Sequence, residues 1–92
     1  MYDVAIIGCG VIGASLAYTL CRYDLRVLVL ERENDVAMGT TKANSAIVHA
    51  GYDPEPGTLM AKLNVQGSAM MEQLCAGLSV EYKRIGSLVL GF

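Results

Sequence analysis

A four-residue apolar run, Val4-Ala5-Ile6-Ile7, passes directly into Gly8-Cys9-Gly10-Val11-Ile12-Gly13, and this junction constrains the chain more than any other stretch. A short continuous run rich in β-branched residues reads as a buried parallel strand, and Gly-x-Gly-x-x-Gly is the pattern by which such a strand turns into a helix. Gly8 allows the tight turn, Gly10 lets a pyrophosphate approach the backbone, and Gly13 lets the helix pack closely on the strand. The unpaired N–H groups and the positive dipole end of that helix then favour an anion. In a chain that is 53% hydrophobic and holds ten glycines, the spacing alone arises readily by accident, so its flanks have to decide.

The flanks support it. Ile12, Leu16, Ala17, Leu20 and Tyr23 recur at three- and four-residue spacing and predict a helix over residues 11–23. Asp24-Leu25 makes a turn, and Arg26-Val27-Leu28-Val29-Leu30 is a second apolar run. A strand over 2–7, a helix over 11–23 and a strand over 26–31 make the strand–helix–strand unit that dinucleotide binding needs. It ends at Glu31, about where an acidic group meets the ribose hydroxyls of an adenosine. Glu31 would repel a 2′-phosphate, whereas its neighbour Arg32 can receive one. The plain alternative for both is a solvated pair at a strand end.

Residues 38–52 are dense in hydroxyls, amides and small side chains. Thr40, Thr41, Asn44 and Ser45 can present hydrogen-bond donors to a ligand, and they serve equally well as capping groups in a surface loop. His49, the only histidine, lies among apolar residues, where a hydrogen-bonded packing role is the ordinary one. Two prolines make Asp53-Pro54-Glu55-Pro56-Gly57 a loop. Thr58 is a plausible N-cap for a helix over 58–76, with Leu59, Leu63, Met70 and Leu74 as its apolar stripe and Gly77 as the residue that ends it. Val80–Arg84 and Ser87–Leu90 flank Ile85-Gly86 and predict a short β-hairpin over 80–90.

A net charge of −2 and a pI near 5.2 argue against a nucleic-acid partner, because no basic patch is present. Glycines interrupt the apolar start, no positive region precedes it, and no run approaches a membrane span, so neither a signal peptide nor a spanning helix is expected. Cys9, Cys21 and Cys75 form an odd, widely spaced set that reads as reduced and suggests a cytoplasmic protein, and no metal site is predicted. A mean hydropathy of +0.41 is high for so small a domain and implies apolar faces covered by something else, either more polypeptide or another copy.

The glycine motif with terminal Glu31, followed by Gly39-Thr40-Thr41-Lys42-Ala43-Asn44-Ser45-Ala46-Ile47-Val48-His49-Ala50-Gly51-Tyr52, resembles the flavin-dependent oxidoreductases of the D-amino acid oxidase superfamily. Pro56–Leu63 and Tyr82–Leu88 fit the same pattern. Within that superfamily the likeness is greatest to bacterial FAD-dependent glycerol-3-phosphate dehydrogenases, with L-2-hydroxyglutarate oxidases next. The resemblance implies that FAD lies on the glycine loop, with its ADP half on Gly8, Gly10, Val11, Ile12 and Gly13 and the ribose on Glu31. It also implies that Thr40, Thr41, Asn44 and Ser45 line the pyrophosphate, ribityl and flavin side and that His49 passes near the isoalloxazine. Some members attach flavin through a histidine in a His-Ala-Ala-Gly pattern; Val48-His49-Ala50-Gly51 departs from it.

The expectation is an α/β chain holding an incomplete Rossmann-like FAD-binding βαβ unit. Two parallel strands are too few for a doubly wound sheet, so residues 1–92 are expected to be the N-terminal, truncated part of an FAD-binding domain. The activity implied is oxidation of a small hydroxylated anion, glycerol 3-phosphate first and L-2-hydroxyglutarate second, by a cytoplasmic enzyme that in full length leaves room for peripheral membrane association. An NAD-binding module and a non-catalytic oligomerising fragment are the competing readings.

Overall fold

Strand β1 (Val4–Ile7), helix α1 (Val11–Leu20) and strand β2 (Val27–Leu30) follow one another as the apolar runs dictate. The computed structural model describes residues 1–92 and divides them into two units, Met1–Ala46 and Ile47–Phe92. In the first, β1 and β2 pair in parallel with Val4 opposite Val27 and Ile7 opposite Leu30. Asp3 stitches the start of the pair. Its Oδ2 accepts the Arg26 N–H at 2.8 Å and lies 3.5 Å from Arg26 Nε. Both strands are shorter than the expected 2–7 and 26–31, because only Val4–Ile7 and Val27–Leu30 join the two-stranded ladder.

Helix α1 closes three residues earlier than the expected Tyr23. The Arg22 N–H turns back to Thr19 O and the Tyr23 N–H to Leu20 O, so the chain tightens into three-residue bonds where no glycine offers a left-handed exit. The helix meets the sheet through Gly13, Ala17 and Leu20, with Ile6 buried beneath Gly13. Ile12 and Leu16, expected on the inner face, are 73% and 50% exposed.

The second unit is built on α2 (Leu59–Gly77). Thr58 caps it as expected: its Oγ1 accepts the Ala61 N–H at 3.2 Å while its hydroxyl donates to Glu55 O at 2.7 Å. The far end differs from expectation. Gly77 remains helical, and Ser79 (φ 56°) makes the left-handed exit. The Val80 N–H bonds Cys75 O at 2.9 Å and the Ser79 N–H bonds Ala76 O at 3.3 Å, the paired closure of a Schellman motif. The half-buried face of α2 is Asn64, Gly67, Ser68, Met71 and buried Cys75, whereas the expected stripe of Leu59, Leu63, Met70 and Leu74 is exposed.

The expected hairpin over 80–90 does not form, and residues 80–92 hold neither helix nor strand. Arg84 turns to α2 instead, with Nε and Nη2 at 3.0 and 2.6 Å from Glu72 Oε2. That contact holds the Glu72 carboxyl below its usual range and pushes the guanidinium up. A lone two-stranded hairpin is marginal without an apolar face to lie on, and here Ile85 and Leu88 find none.

Gly51 (φ 100°) shows how tightly its loop meets α2, since a Cβ there would lie 2.6 Å from Val65 Cγ2. Gly51→Ala is expected to lower stability by about 1–3 kcal/mol through strain and overpacking. Ser79→Gly, relieving the left-handed serine, is expected to raise it by about 0.5–1 kcal/mol. Denaturant unfolding of the two variants beside the parent protein checks both signs.

Candidate functional site

The turn between β1 and α1 is fixed through its backbone. The Gly8 N–H extends the ladder to Leu30 O at 2.7 Å. At Cys9 both main-chain groups are engaged: its N–H donates to Glu31 Oε2 at 2.7 Å and its carbonyl accepts the Ala37 N–H at 2.9 Å. Gly13 then sits so close to Gly8 O and to Ile6 that a Cβ would collide with the backbone, which is the close helix–strand approach the motif predicts.

Helix α1 begins without a side-chain cap at Gly10 and without an acidic residue in its first turn. The Val11 N–H meets Thr41 Oγ1 at 3.0 Å, and the N–H groups of Ile12 and Gly13 have no acceptor. A helix end of this kind attracts an anion through free donors and the helix dipole together. A Cβ on Gly10 would stand 3.0 Å from Thr41 Oγ1, so the glycine keeps this mouth open.

Glu31 is half-buried at the end of β2, and its second oxygen accepts the Glu33 N–H at 3.1 Å. The Cys9 N–H first, then that of Glu33, holds its carboxyl below the ordinary 4.5, and partial desolvation opposes them. Two of about four lone-pair sites are occupied, which leaves acceptors for hydroxyl donors. Arg32 points to solvent, 91% exposed, with Nε 3.3 Å from Glu33 Oε1.

Of the residues expected at the site, the structure gathers Gly8, Gly10, Val11, Ile12, Gly13, Glu31 and Thr41 around one helix end. Thr40 opens the short 3-10 turn Thr40–Lys42, and its carbonyl accepts the Ala43 N–H. Asn44 is spent locally, with Nδ2 on Thr41 O and Oδ1 on the Ala46 N–H, while Ser45 is exposed. His49 belongs to the second unit, where Nδ1 lies 3.4 Å from Asp53 Oδ2; it is half-exposed, unlike the packed histidine its apolar neighbours suggest. Cys9 and Ala37 were missed by sequence reasoning. Both act through main-chain groups, and Ala37 (φ 58°) carries no side-chain signal for a bend.

Because the folded carboxyl is the stronger acid, the Glu31 clasp contributes above the ordinary carboxylate range and is lost as pH falls through its lowered value. Carbon-13 NMR titration of the labelled side chain is expected to give a midpoint below 4.5. Gly13→Ala is expected to cost about 1–3 kcal/mol or more, read in the same unfolding measurement, because backbone cannot yield to the new methyl.

A family model described as FAD dependent oxidoreductase matches residues 3–92. The chain is 61% identical over 92 residues to a glycerol 3-phosphate dehydrogenase of Caloramator mitchellensis, covering 100% of this chain and 19% of that protein. It is 41% identical over 91 residues to a glycerol 3-phosphate oxidase of Mycoplasma genitalium, covering 98% and 24%. It is 35% identical over 92 residues to the mitochondrial L-2-hydroxyglutarate dehydrogenase of Dictyostelium discoideum, covering 98% and 21%. The chain therefore spans between 19% and 24% of the length of these three relatives. The glycine turn, the acidic end of β2 and a family match running through residue 92 converge on one conclusion: the chain belongs to the family of FAD-dependent oxidoreductases.

Proposed function

We propose that residues 1–92 are the N-terminal part of the FAD-binding domain of a dehydrogenase acting on glycerol 3-phosphate. The observation that carries this reading is the juxtaposition of the uncapped start of α1 with the Glu31 carboxylate. The Ile12 and Gly13 N–H groups hold the pyrophosphate, helped by the Thr41 hydroxyl, whose oxygen already accepts from Val11 and whose proton is free to donate. Glu31 takes the adenosine ribose through its unused lone pairs. Gly8 and Gly10 keep the backbone accessible, and Arg32 lies at the solvent edge. Thr40, Asn44 and Ser45 serve the ribityl and flavin side. When bound, FAD supplies the hydride acceptor for a carbon bearing a hydroxyl group.

The names of two of the relatives support glycerol 3-phosphate as substrate, and that of the third supports L-2-hydroxyglutarate, at lower identity. No helix is long and apolar enough to cross a membrane. Three free cysteines suit a reducing compartment, and we place the enzyme in the cytoplasm.

The complete gene product is expected to be yellow and to lose its flavin absorbance under anaerobic glycerol 3-phosphate. Bleaching by L-2-hydroxyglutarate alone would transfer the assignment to that substrate, and a colourless protein that binds NAD would overturn the FAD reading. Glu31→Gln is expected to weaken FAD binding about 10–100-fold, the loss of one or two hydrogen bonds to a charged acceptor, read by fluorescence titration of the apoprotein.

A further inference from the structure

Residues 38–45 are bracketed by two alanines in the left-handed region, Ala37 (φ 58°) and Ala46 (φ 56°). A residue with a Cβ is strained there, and glycine or asparagine is what such a position ordinarily takes. Between the two alanines the chain is bonded to itself. The Lys42 N–H donates to Gly39 O, the Ala43 N–H to Thr40 O and Asn44 Nδ2 to Thr41 O, while Asn44 Oδ1 accepts the Ala46 N–H. The segment is a small prefolded body with a strained hinge at each end.

Its attachment to the rest of the first unit is slight. Every residue from Met38 to Ser45 is exposed except half-buried Thr41. The one hydrogen bond that leaves the segment joins the Val11 N–H to Thr41 Oγ1 at 3.0 Å. At its base the Ala37 N–H is fixed on Cys9 O, so the body pivots beside the glycine turn. A single neutral hydrogen bond contributes about as much as one left-handed alanine costs. Closed and open positions are therefore both populated, as in other segments that have few buried contacts and open locally.

We propose that residues 38–45 form a strap on the start of α1 that a bound dinucleotide locks, and that the strap sets how long the cofactor stays. The inference rests on the reading of α1 as the pyrophosphate seat. Entry uses the open form, which the free protein populates, so capture is not delayed. Once a phosphate lies on the Ile12 and Gly13 N–H groups, the Thr41 proton donates to it while Thr41 Oγ1 keeps the Val11 N–H, and the strap gains a second, charge-assisted bond. Release then breaks both bonds as the hinge alanines relax. Strain at Ala37 and Ala46 therefore acts on the dissociation rate from outside the site.

The test follows FAD release from the complete gene product, as free-flavin fluorescence regained on dilution, for two substitutions of exposed Ala46. Ala46→Asn eases the left-handed backbone and is expected to slow release about 3–5-fold; Ala46→Val, whose branched side chain opposes that conformation, is expected to speed it by about as much. The association rate is expected to change less than about twofold in both. In a Thr41→Val background the effect of Ala46→Asn is expected to vanish, because the strap then has no bond for the ligand to lock. Release that is unchanged or faster in Ala46→Asn overturns the strap even where the protein is yellow. So does an effect that appears only in association or that persists without the Thr41 hydroxyl. A protein that takes up no flavin overturns the cofactor reading, and the strap with it.

Discussion

One charged hydrogen bond holds the first unit in its working shape: the Glu31 carboxylate on the Cys9 N–H. Through it the end of β2 is tied to the turn that leaves β1, two points separated by most of a helix and a strand. With this contact in place the Gly8 N–H stays on the β2 ladder, Gly13 stays pressed on the backbone below, and the start of α1 faces outward with its donors free. The carboxylate thus acts within the fold before any ligand is considered. Its negative charge is what makes it a strong acceptor for the loop amide.

The strand–helix–strand core was legible because each of its elements is written in side-chain pattern. The apolar runs of Val4–Ile7 and Val27–Leu30 and the glycine spacing place the elements within a few residues. Their ends were less legible, since hydrogen-bond geometry after Leu20 decides where α1 stops. The hairpin was misread for a different reason. Alternating strand-like residues describe what a segment does against a partner, and Ile85 and Leu88 have no such partner here. Likewise, α2 was recognised but turned the wrong way round, because its small and polar face packs inward against the Gly51 loop and its leucines point out.

Within the candidate site, sequence named the groups that act through side chains, Glu31 and Thr41, together with the glycines. Cys9 and Ala37 escaped because their contribution is an N–H or a carbonyl that every residue type shares. Asn44 shows the opposite limit: its amide suits a ligand contact as well as the local turn it makes here.

The peptide units flanking Cys9 are held at both ends, by Glu31 on one side and by Ala37 on the other. A loop fixed in this way does not have to fold around an arriving anion. Encounter with α1 is then governed by diffusion and charge, and little conformational entropy remains to be lost on capture. The bond between Ala37 and Cys9 is in this sense an entropic element: it holds the turn in place beforehand through a residue that offers no group to the anion.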